Sequence, residues 1–138
     1  MSEEHKPYEE RTGHHCDFKV RYSFFSEAEG GRKALPHQGI RCDFRYEHPD
    51  HADKKNWLFI IWPEFENVDA ELIGSGVVLP EGVARMWILN DELRDYHNNR
   101  IAVGTKGWFR EGLLSTAECE VIELVGLATN PRVLKTAK

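Results

Sequence analysis

The sequence predicts an all-β protein, a small antiparallel barrel that is closed or nearly closed, on three observations. Apolar residues recur with a period of two in two separate runs, Gly and Pro punctuate the chain at short intervals, and no stretch sustains the 3.6-residue period of an amphipathic helix. Hydrophobic residues make up 41% of the 138 positions and charged residues 30%, a composition that supports one core of its own. A single domain over residues 16–126 follows, with a polar arm before it (1–15) and a tail after it (127–138).

The arm carries clustered charge and no apolar period, so it is expected to stay loose. The first strand then begins: Cys16, Phe18, Val20, Tyr22 and Phe24 alternate with Asp17, Lys19, Arg21 and Ser23. A second strand has the same form, with Ile40, Cys42, Phe44 and Tyr46 set against Arg41, Asp43, Arg45 and Glu47. Antiparallel pairing of the two is expected. Between them, residues 26–39 hold Gly30, Gly31, Pro36 and Gly39 and read as a long connecting loop.

Residues 57–62, Trp-Leu-Phe-Ile-Ile-Trp, are too short for a buried helix and rich in aromatic and β-branched side chains. They predict a strand that Pro63 either ends or places at an edge. Residues 74–89 predict a short strand, a Pro80-Glu81-Gly82 turn and a longer strand. Asn90, followed by acids, predicts a helical turn before Asn99. Residues 100–104 and 119–125 read as the last strands, with residues 105–112 as a hairpin tip that exposes Trp108.

Composition narrows the chemistry. Cys16, Cys42 and Cys119 are odd in number, widely spaced and without a CxxC pair, which argues against a disulfide framework or a cysteine zinc site and for small core residues. His14-His15-Cys16 and His48-Pro-Asp-His51 with Asp53 match no standard zinc spacing. No nucleophile elbow, zinc-protease or dinucleotide motif occurs. No catalytic residue, metal ligand or cofactor is assigned. The longest apolar run is six residues, far below the roughly 20 of a membrane span, and the N-terminus lacks an apolar leader, so a cytoplasmic protein is expected. A formal charge of −5 repels phosphate at long range, so any RNA contact requires a local basic face, for which Lys19, Arg21, Arg41 and Arg45 are the candidates.

Residues 18–32, Phe-Lys-Val-Arg-Tyr-Ser-Phe-Phe-Ser-Glu-Ala-Glu-Gly-Gly-Arg, followed seven residues later by Gly-Ile-Arg-Cys-Asp-Phe-Arg-Tyr (39–46), resemble the opening hairpin of the third domain of bacterial elongation factor Tu. The tetrad Glu29-Gly30-Gly31-Arg32, with Gly39, Arg41 and Phe44 in step, is the most specific part. Leu79-Pro-Glu-Gly82 is similar to that family's Met-Pro-Gly-Asp turn, and residues 100–104 to its Arg-Phe-Ala-Ile-Arg segment. Two departures stand out: Cys42 and Asp43 replace Pro and Gln, and residues 106–112 replace a Gly-rich closing hairpin. No phosphate loop is present, so GTP hydrolysis does not carry over.

The resemblance implies a non-catalytic binding barrel that acts through protein contacts, with a component of translation as partner. Arg32, Lys33, Trp108 and Arg110 are its candidate contacts. tRNA binding through the basic face is the first alternative, and a small enzyme using the acids of residues 64–95 or the histidines is the second. The oligomeric state is left open.

Overall fold

The computed structural model describes residues 5–54 and 57–132. Six antiparallel strands form one sheet: β1 (Phe18–Phe24), β2 (Asp43–Tyr46), β3 (Ile61–Phe65), β4 (Glu81–Ile88), β5 (Lys106–Glu111) and β6 (Leu114–Leu124), in the order β2-β5-β6-β1-β4-β3. The sheet curls into an open half-barrel. A single isolated bridge, Phe44 with Phe59, links the β2 edge to the residues that lead into β3.

The period of two explains the core. Phe18, Val20 and Tyr22 of β1 point inward opposite Met86 and Ala84 of β4 and Val121 and Cys119 of β6, and all are buried. Phe44, Tyr46, Phe59, Ile61, Phe65 and Phe109 complete the interior. Burial pushes the thiols of Cys16 and Cys42 up to about 12 and that of Cys119 well above its ordinary value. They are protonated core groups. Pro63 lies inside β3, which is tolerated because β3 is an edge strand.

Several sequence expectations are corrected. β1 and β2 do not pair, since both flanks of β1 are taken by β4 and β6 and β2 pairs with β5. The apolar faces of the two strands meet instead across the interior, with the Phe18 and Phe44 rings 6.0 Å apart. Residues 100–104 form a turn anchored by buried Ile101, not a strand. The expected hairpin tip at residues 105–112 is largely β5, and the reversal lies at Gly112 and Leu113. Gly112 has φ +63° while Leu113 keeps a negative φ, the pattern of a type II′ turn.

The arm, where described, is docked and not loose. Helix α1 (Tyr8–Thr12) lays Tyr8 edge-on against Trp87, with ring centroids 5.8 Å apart. The buried Glu64 carboxylate accepts from Tyr8 N–H at 2.9 Å and from Trp87 Nε1 at 3.0 Å, and meets the His5 ring at 2.5 Å. The tail is held likewise as far as it is described. Leu127 and Asn130 are buried, and Asn130 Nδ2 donates to Asp17 at 2.9 Å. No helix among the described residues is long and apolar enough to cross a membrane.

The Gly30-Gly31 corner has two separate steric causes. Gly30 caps a 3-10 turn (Glu27–Glu29) at φ +96°, whereas a Cβ on Gly31 would stand 2.2 Å from the carbonyl oxygen of Phe25. Ser26 and Glu29 form a reciprocal capping box across that turn. Gly31→Ala is expected to cost about 3 kcal/mol because backbone must move, against about 1 kcal/mol for Gly30→Ala. Urea unfolding of the two variants checks this, and equal costs would contradict it.

Candidate functional site

Alternation along the strands that bury the core puts a second set of side chains on the outer face of the sheet. There a groove of about 730 Å³ crosses the middle of the half-barrel, lined by Arg21, Glu47, Val83, Trp108, Glu118 and their neighbours. Strand register orders the face into two rows. Arg45, Trp108, Glu118, Ser23 and Glu81 follow one another across β2, β5, β6, β1 and β4. Lys106, Glu120, Arg21 and Val83 run beside them.

Gly107 keeps β5 and β2 close beneath this face. A Cβ there would come within 2.5 Å of the Phe44 ring, so only glycine fits between Trp108 and the core. Trp108 is half-buried, with its indole forming part of the groove lining. Two cations, Arg21 and Lys106, face four carboxylates, Glu47, Glu81, Glu118 and Glu120, an excess of two negative charges. Lys106 Nζ is 3.1 Å from Glu120. Among the described residues, no cation pairs with Glu47, Glu81 or Glu118.

Of the four contacts expected from sequence, Trp108 alone lines this groove. Arg32 is half-buried and held by the chain itself. Its Nη1 donates to both Glu111 oxygens, at 2.6 and 2.8 Å, and its Nε to Ala34 O at 2.9 Å, fastening the double-glycine corner to the end of β5. Arg110 is buried, with Nη2 3.3 Å from Gly112 O. Lys33 is exposed beside a shallow depression of about 300 Å³ that Arg32, Glu27 and Glu29 share.

The basic face does not assemble either. Lys19 pairs with the buried Glu66 at 2.9 Å, which Arg85 also reaches at 2.9 Å. Arg41 lies outside the strands, its guanidinium 5.0 Å from the Trp62 ring centroid. Arg45 donates to Lys54 O at 2.6 Å. Arg21 and Arg45 stand three strands apart, about 14 Å.

The histidines split between surface and core. His51 and His97 are buried in an aromatic cluster with Tyr46, Phe59 and Tyr96. The Tyr46 hydroxyl is 2.7 Å from His97 Nδ1, and the Tyr96 hydroxyl 2.7 Å from His51 Nε2. Burial holds His97 down at about 3, with the charges of Arg100 and Arg94 acting the same way, and drives Tyr46 upward. A histidine so weakly basic makes a poor proton acceptor at neutral pH. Among the described residues no three His, Cys, Asp or Glu side chains are grouped to hold a metal ion.

No family model matches the chain, and no curated protein matches it. The groove therefore stands on its own geometry. Alternation alone marks its side chains as outward-facing, but the strand order that brings residues 21, 47, 83, 108 and 118 together rests on long-range pairing that no local pattern encodes.

Proposed function

We propose that this chain is a non-catalytic binding module that acts by protein contact through the outer-face groove. The observation that carries this reading is the half-buried Trp108 beside Glu47, Glu81 and Glu118, for which no ion pair is found among the described residues, in a groove of about 730 Å³. A large aromatic ringed by polar groups is the composition of an interface anchor. The excess of acid in the groove favours a protein over RNA, whose phosphates it repels. The protonated thiols and the neutral His97 give the enzyme reading little to work with.

A likeness to the third domain of elongation factor Tu is part of this proposal, supported by the tetrad at residues 29–32 and the antiparallel plan. The absent β1–β2 pairing counts against it. A translation component is thus the partner the resemblance suggests, and the groove's own chemistry defines the contact.

The test is co-purification of the full chain from the cells that express it. The wild type is expected to retain a protein partner that Trp108→Ala loses by about tenfold or more. Arg32→Ala, altered outside the groove, is expected to keep it. Equal recovery with Trp108→Ala, or recovery of nucleic acid alone with steep salt dependence, would overturn the reading.

A further inference from the structure

The two rows of the groove differ in charge balance, and the difference specifies a ligand. In one row Glu47, whose N–H donates to Lys106 O at 2.8 Å, is followed by Lys106, Glu120 and Arg21, and the four charges alternate in sign across adjacent strands and sum to zero. In the other, Glu118 and Glu81 flank the uncharged Ser23, and neither has a cation as its direct cross-strand neighbour. Arg45, at the far end of that row, is already engaged by the Lys54 carbonyl. What remains is two anionic positions two strands apart, about 10 Å, with the Trp108 indole directly across from the first.

We infer that the groove receives an extended basic segment of the partner protein, laid across the strands, with one cationic side chain held between Trp108 and Glu118 and a second at Glu81. This rests on the groove being the docking face. The indole face attracts a Lys or Arg head through its quadrupole while the carboxylate pairs with it. In a polyproline II segment, residues three apart lie on one side at about 9.3 Å, which matches the separation of the two carboxylates. The flanking, internally balanced row gives the segment no third cation site.

The probe is the peptide acetyl-Gly-Pro-Pro-Lys-Pro-Pro-Lys-Pro-Pro-Gly-amide and its counterpart with Gln in place of both Lys, titrated into the ¹⁵N-labelled full chain at low salt. The Lys peptide is expected to shift the Trp108 indole N–H resonance saturably and the Gln peptide to leave it in place. Glu81→Gln/Glu118→Gln, both at solvent-facing positions, is expected to weaken the Lys peptide roughly tenfold, and salt of about 0.5 M to abolish the shift. Equal shifts from both peptides, no shift from the Lys peptide, or full affinity in the double variant would overturn the inference. If it falls while Trp108→Ala still loses the co-purified protein, the docking face stands with a different ligand. If Trp108→Ala loses nothing, the docking face itself falls.

Discussion

Asp17→Ala is expected to lower stability by about 3–5 kcal/mol, because three buried donors lose their acceptor and the buried Arg94 keeps only the half-exposed Asp91 as counter-charge. Asp17 is wholly buried at the start of β1 and accepts from Ile88 N–H at 2.7 Å, Arg94 Nε at 2.8 Å and Asn130 Nδ2 at 2.9 Å. Arg94, whose side chain is also wholly buried, opens helix α2 (Arg94–Asn98) and donates in addition to Asp91, Ile88 O and Pro131 O. One ion pair thus ties β1, the end of β4, α2 and the tail together. In a chain of this length the loss corresponds to a fall of about 10–15 °C in the unfolding midpoint. Asp17→Leu/Arg94→Met is expected to recover part of it, because an apolar pair replaces a buried cation that has lost its buried partner. Thermal unfolding checks both, and a single variant within about 1 kcal/mol of wild type would contradict the assignment.

The second large effect is on acid stability. His97 is held near 3 in the folded protein by burial, while its ordinary value is 6.5. Below 6.5 the unfolded chain takes up a proton that the folded chain refuses, so stability is fully present above that pH and is lost as the pH falls toward 3. Between pH 6.5 and 5 the loss is about 2 kcal/mol. His51, in the same cluster and also shifted down, acts in the same direction. His97→Gln removes the group, so its stability is expected to fall less steeply over that interval, by the same amount. Urea unfolding at the two pH values measures this, and parallel curves for variant and wild type would contradict it.

Local pattern carried the strands whose two faces differ. β1 and β2 follow the period of two, whereas the expected Pro80-Glu81-Gly82 turn is already strand from Glu81, which pairs with Ser23, because Pro80 lacks only an N–H and its carbonyl still accepts from Phe24 N–H at 2.9 Å. Long-range chemistry was less legible. Tyr8 gave little signal in a polar arm, because the carboxylate that holds it, Glu64, lies in an edge strand 56 residues away. β5 was obscured by Gly107, which reads as a loop residue in sequence and is in fact the one residue that fits beneath the Phe44 ring. Trp108 was marked as a contact on the wrong grounds. It is half-buried in mid-strand and not at a tip, yet it is the expected contact that lines the groove.

The groove as a protein-docking face is tested most directly by placing a photo-crosslinking amino acid at Val83, within the groove, or at Val68, which is 85% exposed and lies outside it. Irradiation in the expressing cells is expected to give a discrete adduct with a protein from position 83, none from position 68, and none from position 83 when Trp108→Ala is also present. No adduct at 83, or equal adducts at both positions, would contradict the account.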